Sequence, residues 1–160
     1  MQSHLKNVTQ APTAKVRMLI RRPVEEVFAA ITGAGTLTKF WLSSASGALE
    51  LGKTTRWEFR VPGASVESLV KELVPNERVL IEWSDGTTLE WLFESRSDGA
   101  TVLQVENSGF AGDSREVIAS ALEATQGFTI VVCDLKSLLE QGTAAGFVRD
   151  KAMLITEALK

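Results

Sequence analysis

The sequence predicts an α+β fold in which a curved antiparallel sheet wraps around one long helix near the C-terminus. Across residues 54–107, apolar and polar residues alternate, and hairpin signals such as Asp85-Gly86 and Asp98-Gly99 interrupt the pattern. Short strands joined by such turns predict an antiparallel meander. Over residues 114–141 the apolar spacing changes to three and four residues, which is typical of an amphipathic helix. A sheet with one apolar face needs a cover, and no other segment is as long as this helix.

One strand and two short helices are predicted ahead of the meander. Residues 16–22 (VRMLIRR) are apolar and β-capable, and they stop at Pro23, which suits the first turn of a helix. That helix runs to Ile31 with its apolar residues at helical spacing, and two glycines then end it. A second short helix is predicted over residues 36–42, and the serine-rich segment 43–47 is predicted to be a loop.

Five strands make up the predicted meander, at residues 54–61, 66–74, 78–83, 87–95 and 101–107. Alternation places Trp57 and Phe59 on one face of the first strand, and Trp91 and Phe93 on the matching face of the fourth. This face is the one expected to meet the long helix. Periodicity is compatible both with a filled core and with a cavity at that place.

The long helix is predicted to span Ser114–Gln141, with Asp113 or Ser114 as its N-cap and Gly142 after its last turn. A helix of about 28 residues rises by about 40 Å, which is enough to cross a whole sheet. Gly127 interrupts its middle. A close approach of helix to sheet explains this glycine slightly better than a kink that would widen a cavity mouth.

A chain of 160 residues predicts a single domain. Residues 1–13 are expected to be a flexible leader, 14–142 the folded domain, and 143–160 an extension whose apolar spacing is compatible with a short helix. The leader lacks the apolar stretch of a signal peptide, and no apolar run reaches the roughly 18 residues of a membrane span. We therefore expect a cytoplasmic protein without a membrane partner.

The residue inventory excludes several classes of chemistry. The sequence has one histidine (His4), one cysteine (Cys133) and no tyrosine. A structural zinc site needs four histidine or cysteine ligands, and the sequence has only two such residues. A catalytic triad needs a histidine that the fold holds in place, and His4 lies in the leader, which is expected to be flexible. The net charge of −3 argues against a nucleic-acid partner. We expect no metal and no cofactor.

Five short motifs occur in an order and spacing that are typical of one family. They are Arg22-Pro23-Val24-Glu25-Glu26-Val27-Phe28, Phe40-Trp41, the segment from Glu72 to Val79 with Trp83, Ser108-Gly109-Phe110, and Leu135-Lys136-Ser137-Leu138-Leu139-Glu140. With them, the chain resembles the helix-grip proteins of the START/Bet v 1-like (SRPBCC) superfamily over roughly residues 14–142. More narrowly, it is similar to the AHSA1-like family, named for the activator of the Hsp90 ATPase. The resemblance implies a cavity between sheet and long helix, and it carries no shared catalytic residues.

The side chains that we predict to line this cavity lie on the inward face of the sheet, in the second short helix and on the apolar face of the long helix. They are Phe40, Trp41, Trp57, Phe59, Trp91, Phe93, Asn107, Phe128 and Val132. Core packing explains the aromatic members of this set equally well. The carboxamide of Asn107 could bind a ligand, but capping of the neighbouring loop is the favoured explanation. No catalytic residue and no metal ligand is assigned.

Three functions are compatible with the sequence. The favoured one is non-catalytic binding of a small, largely hydrophobic molecule such as a lipid. The second is a polyketide cyclase or aromatase-like enzyme acting in the same cavity, which would need an acid or base on its wall. The third is an interaction module resembling the Hsp90 activator, with a chaperone or another protein as partner in the stress response. A monomer and a homodimer are both compatible with each.

Overall fold

The computed structural model describes residues 11–160. The chain begins with strand β1 (Ala14–Ile20), followed by helices α1 (Val24–Thr32) and α2 (Ala34–Phe40). Six strands follow: β2 (Ser44–Ala45), β3 (Thr54–Glu58), β4 (Ser65–Val74), β5 (Arg78–Trp83), β6 (Thr88–Ser95) and β7 (Thr101–Ser108). Helices α3 (Ser114–Gln141) and α4 (Phe147–Ala158) complete the chain.

All seven strands form one curled antiparallel sheet in the order β1-β7-β6-β5-β4-β3-β2. Strands β2 to β7 pair with their neighbours in sequence, whereas β1 pairs with β7, with Ala14 opposite Asn107. The register of β4 against β5 shifts between Val70 and Glu72. A shift of this kind increases the local bend and twist of a sheet. The sheet thereby curls around α3, and the predicted fold class is confirmed.

The long helix α3 has the bounds that the sequence predicts, and both ends have local causes. Asp113 and Glu116 form a reciprocal capping box, in which the Asp113 carboxylate accepts from the Glu116 amide at 2.9 Å. At the other end Gly142 has φ of 90°, a left-handed conformation that glycine adopts without a Cβ clash, and its amide donates to Leu138 O. The helix lies along the sheet with Val132 and Leu135 fully buried.

By length and composition, α3 is the one helix of residues 11–160 that could cross a membrane, with a mean hydropathy of 1.3 over its most apolar stretch. The core helices of soluble proteins share these properties, so length and composition are weak evidence for a membrane span. Phe128, Val132 and Leu135 of this helix are buried, whereas the apolar side chains of Ile118 and Leu122 near its start are exposed.

β1 and α2 each begin and end two residues earlier than the sequence predicts, and three further local differences bear on the site. Strand β3 ends at Glu58, so Phe59 lies just beyond it instead of within it. The segment predicted as a loop after α2 contains the two-residue strand β2, which pairs with β3. At Gly127 the expected close approach is absent: a Cβ there would meet only Lys151 Nζ, at 4.0 Å. This glycine therefore leaves space beside α4, and it lies within an unbroken helix.

Candidate functional site

A cavity of about 540 Å³ lies between α3, α4 and one end of the curled sheet. The sheet contributes the β3–β4 and β5–β6 connections and the end of β7, and the residue after α2 closes one side. Its wall consists of Trp41, Phe59, Arg60, Val61, Trp83, Asp85, Thr87, Asn107, Phe110, Ser120, Glu123, Ala124, Gly127, Phe128, Ile130, Val131, Val148, Lys151, Ala152 and Ile155.

Four aromatic rings form a closed circuit on this wall. Trp41 contacts Phe59 at 6.1 Å and Phe128 at 5.9 Å between ring centroids. Trp83 completes the circuit, at 6.1 Å from Phe59 and 6.2 Å from Phe128. The angles between rings range from stacked to T-shaped, which are the favourable geometries for aromatic pairs. The four rings come from four separate parts of the chain and hold each other in place.

Hydrogen bonds fix two members of this circuit. The indole N–H of Trp83 donates to Ser68 Oγ on the adjacent strand at 2.9 Å, and both residues are buried. The guanidinium of Arg60 donates to the carbonyl oxygens of Trp41 at 3.3 Å and of Thr38 at 2.9 Å. Arg60 thus ties the end of α2 to the β3–β4 connection, which positions the Trp41 ring against the cavity.

Asn107 is a buried polar residue on the wall. Its amide nitrogen donates to Thr88 O at 2.9 Å, at the point where β6 leaves the β5–β6 hairpin. This bond joins the end of β7 to the start of β6. Because the bond uses the nitrogen, the carboxamide oxygen is left for another partner, and Asn107 lines the cavity with only 4% of its surface exposed. The same side chain can therefore hold the hairpin and contact a ligand.

Four charged side chains also border the cavity: Arg60, Asp85, Glu123 and Lys151. Within residues 11–160, none of them belongs to an ion pair. Asp85 closes its own turn, accepting from the amide and the hydroxyl of Thr87 at 2.8 and 2.7 Å. Over the same described range, no group of three or more His, Cys, Asp or Glu side chains is close enough to hold a metal ion.

The structure separates the nine predicted site residues into two groups. Trp41, Phe59, Asn107 and Phe128 lie on the cavity wall. The remaining predicted side chains, which do not line this cavity, are Phe40, Trp57, Trp91, Phe93 and Val132. Alternation along a strand gives the face on which a side chain lies but not its distance from the open end of the sheet.

The second group packs behind the wall or away from it. Trp57 and Trp91 are fully buried and touch Trp41, with ring centroids 5.2 and 5.9 Å apart. Their indole N–H groups have no hydrogen-bond acceptor among the described residues. Phe93 instead packs against Phe28 at 5.1 Å, in a separate part of the core.

The other two members of the group are also in the core. Phe40 is buried beside a smaller cleft, of about 340 Å³, on the far side of Arg60. Val132, which belongs to α3, is fully buried. At Val132, side chains therefore fill the space on the buried side of α3.

Trp83 and helix α4 are two of the parts of the wall that the sequence analysis did not predict. Trp83 alternates with the buried residues Val79 and Ile81, so the parity of β5 was an available signal. The other part is α4, which contributes Val148 and Ile155 among others. Its residues were expected in an extension of the chain, and apolar spacing alone does not tell which element a short helix covers.

Solved structures resemble this chain at low sequence identity. An X-ray structure of a Staphylococcus saprophyticus protein has a TM-score of 0.72 at 24% identity, covering 82% of this chain and 94% of that one. The Aha1 dimer from Colwellia psychrerythraea gives 0.67 at 22% identity, covering 80% and 96%. DynU16, a protein in the dynemicin biosynthetic locus, gives 0.73 at 22% identity, covering 84% of this chain but 49% of DynU16. At these identities, the likeness establishes the fold.

None of the curated proteins matches the chain. The family model for Activator of Hsp90 ATPase homolog 1-like protein matches residues 21–140, which run from just after β1 to the last turn of α3 and include the aromatic circuit. The resemblance inferred from the short motifs is thereby confirmed, together with the helix-grip fold. The chain belongs to the family of Activator of Hsp90 ATPase homolog 1-like proteins.

Proposed function

We propose that this protein binds a small, largely apolar molecule, such as a lipid, in the cavity between the sheet, α3 and α4. The observation that carries the proposal is the closed circuit of Trp41, Phe59, Trp83 and Phe128 on the wall of a cavity of about 540 Å³. Ligand sites in proteins are commonly concave spaces of about 300–1,000 Å³ with aromatic walls and few polar groups.

Burial of apolar ligand surface would drive binding, at about 25 cal/mol for each Å² removed from water. The Asn107 carboxamide oxygen would fix the orientation of one polar group on the ligand, because its nitrogen is already bonded to Thr88 O. The buried rings of Trp57 and Trp91 support the wall from behind. No catalytic step is assigned to the cavity in this proposal.

Titration of a neutral hydrophobic fluorophore, N-phenyl-1-naphthylamine, tests the proposal. The unaltered protein should bind it saturably, and Phe128→Ala should change the dissociation constant at least several-fold. Because Phe128 borders an existing space, its truncation should cost less free energy of unfolding than the about 3–5 kcal/mol of a filled core.

Phe93→Ala is the matched control. Phe93 is as buried as Phe128, with 6% against 7% exposure, but it packs on Phe28 away from the cavity. It should lose the full core-sized free energy and leave fluorophore binding unchanged. Absence of saturable binding to the unaltered protein, with Phe128→Ala as costly as Phe93→Ala, contradicts the proposal.

A catalytic function is the second candidate, and the carboxylate of Glu123 on the cavity wall is the observation that favours it. DynU16, which shares the fold, comes from a biosynthetic locus. A cyclase or aromatase-like reaction would use Glu123 as an acid or base on a polyketide-like substrate. Turnover of such a substrate that is lost in Glu123→Gln, with fluorophore binding intact, would establish catalysis over simple binding.

The family name and the Aha1 dimer support a third candidate, an interaction with a chaperone or with a second copy of the chain in the cytoplasm. Exposed apolar side chains at Ile118, Leu122 and Leu154 offer surface for it. Stimulation of Hsp90 ATPase turnover by the purified protein tests the chaperone partner, and sedimentation equilibrium distinguishes the monomer from the homodimer.

A further inference from the structure

Helix α4 forms one wall of the cavity although it lies beyond residues 21–140, the part that matches the family. Val148, Lys151, Ala152 and Ile155 face the cavity from this helix. They stand opposite Gly127 and its neighbours on α3, where the missing Cβ leaves space beside Lys151. Removal of α4 from this position would open the cavity along the whole length of that contact.

A single buried carboxylate holds the start of α4. Asp134 lies about two turns before the C-terminal end of α3, with 1% of its surface exposed. Its Oδ1 accepts the amides of Gly146 at 3.0 Å and Phe147 at 3.2 Å, and its Oδ2 accepts the amide of Val148 at 2.8 Å. The first amides of a helix lack partners within the helix, and a carboxylate both accepts their hydrogen bonds and interacts favourably with the helix dipole.

The cap comes from another helix because α4 has none of its own. Its N-cap position is Gly146, which has no side chain and a left-handed φ of 95°. Asp134 satisfies three amides of the first turn, so its loss would leave all of them without this acceptor. The interaction with Asp134 is therefore the main polar attachment of α4 to α3.

Apart from this cap, Val148 packs half-buried against the core, and the remaining attachments of α4 are slight. Lys151 Nζ donates to Gln126 Oε1 at 3.0 Å in an exposed position. Within the helix, all of which the structure describes, Ala152 is the one buried residue. Large apolar side chains instead lie on its outer surface, with Met153 53% and Leu154 68% exposed. An element with so little buried apolar surface opens at a low free energy compared with the core.

We propose that α4 is a lid over the cavity, that the Asp134 carboxylate latches it, and that its release admits the ligand. The ligand part of this inference rests on the proposed binding function, whereas the latch does not. Asp134 is a positioning residue. It does not line the cavity of about 540 Å³, and it acts by holding Val148, Lys151 and Ile155 against that cavity.

Hydrogen exchange of the full chain tests the latch without any ligand. In Asp134→Ala, the amides of residues 147–158 should exchange at least about 10-fold faster, which corresponds to the loss of a helix cap. The amides of the sheet and of α3 should keep their protection. The control is Leu154→Ala, an exposed position on the same helix that should leave exchange unchanged. Unchanged exchange of residues 147–158 in Asp134→Ala overturns the latch.

A reversible tether tests the lid. The tether uses the substitutions Gln126→Cys and Lys151→Cys, since Lys151 Nζ lies 3.0 Å from Gln126 Oε1. Cys133→Ser removes the native thiol, and a short cleavable bis-maleimide then joins the two introduced thiols. Stopped-flow uptake of N-phenyl-1-naphthylamine should slow at least about 10-fold in the tethered protein and recover after cleavage. Asp134→Ala should accelerate uptake. Equal rates in the tethered and cleaved forms overturn the lid.

The outcomes separate this inference from the function on which it rests. Saturable fluorophore binding at a rate that neither the tether nor Asp134→Ala changes leaves the binding function standing and removes the lid. Absence of fluorophore binding in every variant removes the binding function and, with it, the gating of a ligand. In that case hydrogen exchange still decides whether Asp134 latches α4.

Discussion

Replacing Gly127 with alanine is expected to stabilise the protein by about 0.5–1 kcal/mol, which is the usual advantage of alanine over glycine inside a helix. The structure removes the two common objections to this substitution. Gly127 lies within the continuous helix α3, and the new Cβ would meet only Lys151 Nζ, at 4.0 Å. That distance is an ordinary contact with the end of a flexible side chain, so no repacking opposes the gain.

Urea denaturation measures the change, and a thermal melt provides a second readout. A gain of about 1 kcal/mol corresponds to about 2–4 °C in Tm for a chain of this size. The denaturant slope should not change, because the substitution alters neither the exposed surface of the folded chain nor its compactness.

Gly142→Ala, at the C-cap of the same helix, is the matched control with the opposite sign. A Cβ at Gly142 would also meet nothing within 4 Å, but φ there is 90°, which alanine adopts only with strain. We expect a loss of about 1–2 kcal/mol. Destabilisation by Gly127→Ala would refute the reasoning, because it would mean that α3 approaches its neighbours more closely than the structure shows.

Three further predictions concern hydrogen bonds and metal. Ser68→Ala should cost about 1–3 kcal/mol in urea denaturation, because it leaves the buried Trp83 indole N–H without its acceptor. Burial alone would raise the pKa of Glu140, but the Arg21 amide and the Lys136 ammonium hold that pKa below its ordinary value. A carboxylate with a lowered pKa stabilises the fold at neutral pH, and this stabilisation is lost as the pH falls through that pKa. Glu140→Gln should therefore lower the free energy of unfolding at pH 7 and have almost no effect on it near pH 3. Finally, the Tm should be the same with and without a chelator, and a large drop with chelator would contradict the metal-free interpretation.

The sequence predicted the fold well because each element has a local cause. The capping residues Asp113 and Glu116 and the terminal Gly142 determine the ends of α3, and these bounds were predicted to the residue. Alternation in β6 likewise placed Trp91 and Phe93 on the buried face. Such signals depend on neighbouring residues alone, so they can be read before any tertiary contact is known.

The candidate site was harder to predict because it depends on how the sheet curls. Phe93 and Phe59 share the inward parity, yet Phe93 packs on Phe28 while Phe59 reaches the cavity from beyond the end of β3. The role of Asp134 was also hidden. A lone carboxylate within an apolar helical stripe gives no indication of the second helix whose amides it accepts, since that helix begins thirteen positions later in the sequence.

The pairing of β1 with β7 has a consequence for the way in which the chain folds. Within the described chain, every other pair of neighbouring strands is consecutive in sequence, whereas Ala14 lies opposite Asn107. Closing so long a loop costs more chain entropy than forming a hairpin, so hairpins are the faster events. The meander can therefore assemble from local pairs, while the seam at β1 forms only when the rest of the sheet is present to receive it. We therefore expect the pairing of β1 with β7 to be a slow, non-local step that follows the faster formation of the hairpins.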